Sequence, residues 1–229
     1  PMQRFAEPIH VTRAFMPPFE EYQELMRGVW DRGYVTNNGP FLKQFEAEFA
    51  NRFGLEGSIF MVNGTIALHL AIRALELTGE VITTGFSHPV TTTSLMWEGC
   101  TPVFVDVDAG TFCIDPALIE ERITPRTTGI VATHVYGIPC DVDAIADIAN
   151  RHGLKVLYDG AHAFGTRVHG RSILDFGDVS TTSYHATKIF HTVEGGSMHA
   201  RDPELHKRLV LLRTMGQFGE EFFIPGMNA

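Results

Sequence analysis

Residues 59–84, IFMVNGTIALHLAIRALELTGEVITT, hold two short apolar segments on either side of a segment with helical periodicity. The apolar segments, 59–62 and 80–83, are typical of buried strands, and 66–77 is typical of a helix. The alternation continues, with strands predicted at 102–105, 129–133, 154–158, 179–184 and 196–199, and helices at 90–98, 116–123, 142–152 and 203–215. It predicts an α/β fold in which helices cover both faces of a mainly parallel sheet of about seven strands.

The N-terminal region has a different pattern. Residues 1–40 contain several prolines around a predicted helix at 20–32. A second helix is predicted at 41–53, where a phenylalanine recurs every fourth residue and Gly54 follows. We interpret this aromatic stripe as core packing. The expected division is a helical segment packing on the large domain (1–57), the large domain itself (58–217), and the start of a connection to a missing C-terminal small domain (218–229).

Composition excludes several classes of protein. The formal net charge is −9 and no long basic run is present, which argues against a nucleic-acid partner. No segment is long and apolar enough to span a membrane. The three cysteines, Cys100, Cys113 and Cys140, are widely spaced and form no CxxC pair, so neither a disulfide framework nor a structural zinc site is expected. Together these features predict a cytoplasmic protein in a reducing compartment.

Ligands of such sheets bind at the carboxyl ends of the strands, so the loops after the strands are the places to search. Asn63-Gly64-Thr65 follows the first strand and opens a helix. Free backbone N–H groups at a helix start bind anions, Gly64 lets a phosphate approach, and Thr65 adds a hydroxyl. The alternative is that Asn63 or Thr65 is simply the helix N-cap.

Two further loops carry reactive groups. Asp159 ends an apolar strand, where its carboxylate serves as a metal ligand, as a base, or as the partner of a protonated ring nitrogen; the alternative is a cap or a surface charge. Lys188 follows Ser183 in a mostly uncharged segment, where desolvation favours a nucleophilic amine; the alternative is a solvated surface lysine. As a set, the anion site, Asp159 and Lys188 match the phosphate, the pyridinium and the aldehyde carbon of pyridoxal phosphate.

The order of these motifs resembles a known family. Residues 63–70 (NGTIALHL), 103–106 (VFVD), 158–162 (YDGAH) and 183–188 (SYHATK), with 194–196 (EGG), are similar to the sugar aminotransferases of the DegT/DnrJ/EryC1/StrS group. The resemblance covers nearly the whole chain. It implies the large domain of fold-type I aminotransferases and pyridoxal 5′-phosphate as cofactor, which passes through its pyridoxamine form during turnover.

The resemblance also implies roles for residues. Lys188 would form the Schiff base and shuttle protons, while Asp159 would pair with the pyridinium nitrogen. The phosphate would be bound by Gly64, Thr65 and Ser183. His88 would stack on the ring, where the family usually has a larger aromatic side chain. The remaining cofactor contacts would be His162, beside the ring, and Asn228, which would reach the phosphate in the neighbouring subunit.

The function implied is transfer of an amino group, from L-glutamate, to a keto group of a nucleotide-linked deoxysugar for amino-sugar biosynthesis. A homodimer with shared active sites and no metal is expected. His134, Tyr136 and Glu194 are candidate substrate contacts. Two alternatives remain open: a non-catalytic truncated fragment of such an enzyme, and a metal-dependent hydrolase that uses the histidines. Neither HExxH spacing nor the GxGxxG of a dehydrogenase is present.

Overall fold

The computed structural model describes residue 7, residues 9–219 and residues 221–229. At its centre is a sheet of seven strands: β1 (Ile59–Met61), β2 (Glu80–Thr84), β3 (Thr101–Val105), β4 (Thr127–Thr133), β5 (Lys155–Asp159), β6 (Val179–Ser183) and β7 (Gly196–His199). Their spatial order is β1-β7-β6-β5-β4-β2-β3. Only β7 runs against the others, because it pairs antiparallel with both β1 and β6. The predicted α/β class and strand number are confirmed.

Six α-helices accompany the sheet: α1 (Phe19–Arg32), α2 (Pro40–Phe53), α3 (Gly64–Ala74), α4 (Pro89–Trp97), α5 (Val142–His152) and α6 (Pro203–Arg213). The residues at the helix ends explain where several of these helices begin and end. The carboxylates of Asp141 and Asp202 cap the first turns of α5 and α6. Gly54 and Gly153 end α2 and α5 in the left-handed conformation that glycine adopts without steric cost.

Helices lie on both faces of the sheet, as the alternation of elements predicted. Along β5, Val156 and Tyr158 face a core that also contains residues of α2 and α5. Leu157, between them, faces a second core built with α3, α4 and α6. This two-sided burial explains why Val156, Leu157 and Tyr158 are buried in succession and do not alternate with exposed residues.

The N-terminal region agrees in part with the sequence. Helices α1 and α2 form close to the predicted limits, and Phe49 and Phe53 of the aromatic stripe are buried against the sheet. Helix α1 contributes no buried residue. Residues 1–6 and 8, which belong to the predicted segment 1–57, lie outside the described residues, as does residue 220 of the predicted connection. The division into three segments stays a prediction.

One predicted helix is wrong. Residues 116–123 form two separate 3₁₀ turns, Pro116–Leu118 and Glu120–Arg122, instead of a continuous α-helix. Asp115 caps the first turn through Ala117 N–H, and only Ile119 of this stretch is fully buried. A single anchoring apolar residue gives too narrow an apolar face to hold an α-helix against the sheet.

Two short antiparallel ribbons complete the described structure, Arg167–Val168 with Arg171–Ser172 and Gln217–Phe218 with Glu221–Phe222. Among the described residues, no helix combines the length and apolar character that crossing a membrane requires.

The aromatic stripe of α2 gives a test of the core. Phe49 is 4% exposed, and its ring lies 5.0 Å from that of Phe60. Phe49→Ala is expected to lower the free energy of unfolding by about 3–5 kcal/mol, because it leaves a cavity. Phe41, on the same helix but 37% exposed, is the matched control, and Phe41→Ala should cost clearly less. Equal losses in urea unfolding would contradict this account of the core.

Candidate active site

A pocket of about 400 Å³ opens at the carboxyl ends of the parallel strands, where the sequence placed the chemistry. The loops after β1, β2, β5 and β6 contribute to it, and Thr133 contributes from the end of β4. Its walls include the predicted cofactor residues Gly64, Thr65, His88, Asp159, His162, Ser183 and Lys188, together with Glu194.

The first wall is the start of α3. Asn63 is the N-cap: its Oδ1 accepts the Ile66 N–H at 2.9 Å, and its carbonyl accepts the Ala67 N–H. Asn63 is therefore the helix N-cap. This role does not prevent anion binding, because it uses the N–H groups of later residues. The N–H groups of Gly64 and Thr65 have no hydrogen-bond partner in the described part of the chain, and they stay available at the positive end of the helix.

Close packing explains the glycines around this helix start. A Cβ on Gly64 would lie 2.9 Å from Ser183 Cβ, and one on Gly196 would lie 2.3 Å from the carbonyl carbon of Asn63. Both contacts are shorter than a real side chain tolerates. The glycines thus let α3 begin directly against the end of β6, which places the hydroxyls of Thr65 and Ser183 in the same pocket.

Asp159 ends β5 on the pocket floor and is 4% exposed. Its Oδ2 accepts a hydrogen bond from Thr91 Oγ1 at 2.7 Å, and its Oδ1 accepts the Ala161 N–H at 3.0 Å. Both oxygens of the carboxylate are therefore held by hydrogen bonds. Thr133, its neighbour on β4, also lines the pocket, and its buried hydroxyl has no partner among the described atoms.

Lys188 is half-buried in the loop between β6 and β7, and its backbone N–H bonds to His185 O at 2.8 Å. Burial lowers the pKa of its amine, while the carboxylate of Asp159 raises it in partial opposition. Burial has the larger effect, so a greater fraction of the amine is neutral and nucleophilic than in a solvated lysine.

His162 and His88 also line the pocket, whereas Tyr136 lies outside its lining and contacts His162. Burial, followed by the charge of Lys188, lowers the pKa of His162. Its Nδ1 accepts the Tyr136 N–H at 3.3 Å, and the two rings stack with centroids 6.1 Å apart. Tyr136 is 69% exposed and has a left-handed backbone (φ 55°), a conformation costly for an aromatic residue. His88 caps α4 by accepting the Val90 N–H.

Two predicted residues lie away from the pocket. His134 is completely buried below it: its ring stacks on Tyr158, its Nδ1 accepts the Cys140 N–H, and burial lowers its pKa to about 3. This position does not support its assignment as a sugar contact. Asn228 accepts a hydrogen bond from Asn37 outside the pocket. Its expected role concerns a neighbouring subunit and stays a prediction.

Sequence reasoning missed Thr91 and Thr133. Neither residue belongs to a recognisable motif, and each meets the site only through tertiary packing. Within the described residues, no group of three or more His, Cys, Asp or Glu side chains is arranged to hold a metal ion.

Comparison with known proteins identifies the family. The model of the DegT/DnrJ/EryC1/StrS aminotransferase family matches residues 19–227. The chain belongs to this family. A similar curated relative is the dTDP-4-amino-4,6-dideoxy-D-glucose transaminase of Shigella dysenteriae, 45% identical over 214 residues. The match covers 93% of this chain but 58% of the relative, so the chain spans little more than half the length of this aminotransferase.

Solved structures of aminotransferases share the fold. DesI, crystallised in the presence of its TDP-sugar product, has a TM-score of 0.89 at 35% identity, covering 93% of this chain and 54% of DesI. NtdA from Bacillus subtilis, with bound cofactor PMP, has a TM-score of 0.84 at 30% identity, covering 92% and 49%. The expected large domain of fold-type I aminotransferases is confirmed.

Pyridoxal phosphate is the cofactor of this family, and PMP is its amino form. The groups that line the pocket fit this cofactor chemically. The cavity is lined by an anion-binding helix start, two hydroxyls, a buried carboxylate and a half-buried amine. The unpartnered hydroxyl of Thr133 is a further polar atom that lacks a partner until a ligand supplies one.

The lowered pKa of Lys188 makes a testable pH prediction. Neutral amines are acetylated, so competitive labelling of the cofactor-free protein with acetic anhydride, read by mass spectrometry, should give Lys188 a midpoint below the usual lysine value of about 10.4. In Asp159→Asn the midpoint should fall further, because the opposing charge is removed while burial stays. Exposed Lys43 in the same sample is the internal reference. A Lys188 midpoint at or above the usual value would contradict the prediction.

Proposed function

We propose that this chain is the cofactor-binding part of a pyridoxal-phosphate-dependent aminotransferase acting on nucleotide-linked sugars. The observation that carries the proposal is the convergence of Lys188, Asp159 and the free helix start at Gly64 in one pocket. The three groups come from different parts of the sequence. They match the aldehyde carbon, the pyridine nitrogen and the phosphate of the cofactor.

In this proposal, the phosphate is held by Gly64 and Thr65 N–H groups and by the hydroxyls of Thr65 and Ser183. Asp159 holds a proton at the ring nitrogen, which its ionised form attracts. His88 covers one face of the ring, and His162 lies beside it. When bound, pyridoxal phosphate supplies an electron sink that stabilises negative charge on a carbon next to the amino group.

Lys188 has two proposed tasks. Burial lowers the pKa of its amine, so the amine would hold the cofactor through a covalent bond to the aldehyde carbon more readily than a solvated lysine. The same amine would also act as the base that moves a proton between the two carbons flanking the transferred nitrogen. The loop from 184 to 195 keeps it within the same pocket as Asp159.

For the substrate we propose a nucleotide-linked deoxysugar bearing a keto group, with L-glutamate as amino donor. The support comes from relatives: one is a dTDP-4-amino-4,6-dideoxy-D-glucose transaminase, and DesI was crystallised in the presence of its TDP-sugar product. Tyr136, exposed and stacked on His162, and Glu194, in the pocket wall, are the proposed substrate contacts. His134 is not carried forward in this role.

The remaining assignments complete the proposal. We propose a homodimer with shared active sites, in which Asn228 reaches the phosphate of the neighbouring subunit, and a cytoplasmic location. The segments 1–57, 58–217 and 218–229 are proposed as an N-terminal helical part, the cofactor domain and a connection to a small domain. No observation favours the two alternatives, a metal-dependent hydrolase or a non-catalytic fragment, over an aminotransferase.

The function can be tested directly. The whole protein, supplied with pyridoxal phosphate and L-glutamate, should convert at least one member of a panel of nucleotide-linked keto sugars into the amino sugar. Lys188→Ala should reduce turnover by at least about 1,000-fold, because both covalent attachment and proton transfer depend on its amine. Product is measured by mass spectrometry of the sugar nucleotide.

The matched control is Lys43→Ala, at an exposed lysine outside the pocket. It should leave turnover unchanged. Turnover that survives in Lys188→Ala, or a wild-type protein that forms no amino sugar from any panel member, would overturn the proposed function.

A further inference from the structure

Thr91 lies beneath the pocket in the first turn of α4 and is fully buried. Its backbone N–H bonds to His88 O at 3.0 Å, and its side-chain Oγ1 donates to Asp159 Oδ2 at 2.7 Å. Among the described residues, Asp159 is the acceptor for this hydroxyl proton. The contact joins positions 68 residues apart in the sequence, so it exists only through the packing of α4 on β5.

Hydrogen bonds hold the Asp159 carboxylate in place. Asp159 is almost completely removed from water, and a buried carboxylate is costly unless hydrogen-bond donors replace the lost water. Thr91 supplies a donor to one oxygen, and Ala161 N–H supplies a donor to the other. Thr91 also belongs to the N-terminal turn of α4, whose positive end stabilises a nearby anion. With both oxygens engaged, the plane of the carboxylate is set.

The start of α4 also contributes to the wall of the pocket. His88 is the N-cap of α4 and lines the pocket, three residues before Thr91. One turn of helix therefore connects the pocket wall to the carboxylate on its floor. A displacement of α4 would therefore move His88 in the pocket wall and disturb the hydrogen bond to Asp159 at the same time.

We propose that Thr91 is a positioning residue for the cofactor, whose hydroxyl holds the Asp159 carboxylate in the orientation that faces the ring nitrogen. The proposal rests on the function proposed above, since it requires that Asp159 faces a protonated pyridine nitrogen. Thr91 itself touches the carboxylate and acts through it. The proposal predicts that removing the hydroxyl harms only ligands that carry this nitrogen.

The test compares two ligands. One is pyridoxal phosphate, and the other is its analogue in which carbon replaces the ring nitrogen. Dissociation constants are measured by fluorescence titration on the whole apoprotein. Thr91→Val keeps the branched shape but loses the hydroxyl, and it should weaken binding of pyridoxal phosphate by roughly 10-fold, as for other hydrogen bonds to charged groups. Binding of the carbon analogue should not change.

Three further variants complete the test. Thr91→Ser keeps a hydroxyl and should restore the affinity for pyridoxal phosphate. Thr93→Val makes the same substitution at an exposed position of the same helix, and both ligands should bind as in wild type. Thr91→Ala provides a smaller replacement if Val does not fit, and thermal unfolding of each apoprotein measures its folding separately.

The outcomes distinguish the two proposals. Equal weakening of both ligands, no weakening of either, or failure of Thr91→Ser to restore affinity would overturn the role of Thr91 while leaving cofactor binding intact. A wild-type protein that binds neither ligand would instead overturn the proposed function, and with it this inference.

Discussion

The buried carboxylate of Asp159 imposes the strictest physical requirement on this structure. It ends β5 directly after the buried residues Val156, Leu157 and Tyr158, and only 4% of its surface reaches solvent. A buried carboxylate costs free energy unless hydrogen-bond donors replace the water that it has lost. Thr91 Oγ1 and the Ala161 N–H supply these donors, one to each carboxylate oxygen. The polar pocket is organised around this compensation.

Sheet topology explains why these elements meet. Parallel strands direct their carboxyl ends to one edge, so the loops after β1, β2, β5 and β6 and the end of β4 line a single cavity. The antiparallel strand β7 brings Gly196 beside Asn63, and the absence of side chains at Gly64 and Gly196 lets α3 start against β6 and β7. The anion site thus lies at a helix start and the carboxylate at a strand end, while Lys188 lies in the loop after β6.

Much of this was predictable because the decisive signals are local. Apolar segments, helix caps and the rule that ligands bind at strand ends were enough to predict the sheet and to select Gly64, Asp159 and Lys188. Thr91 was not predictable, since its role depends on a contact with a distant strand. The misassignment of His134 has the same origin: whether a histidine after a strand points outward or stacks beneath the site is decided by its neighbour, Tyr158.

The central claim is that one lysine in this pocket bonds to the cofactor. Reduction of the whole protein with borohydride in the presence of pyridoxal phosphate makes such a bond permanent, and peptide mapping by mass spectrometry locates it. The account predicts one pyridoxyl group per chain, on the peptide that contains Lys188. A pyridoxyl group on another lysine, or a distribution over the exposed lysines with none on Lys188, would contradict it.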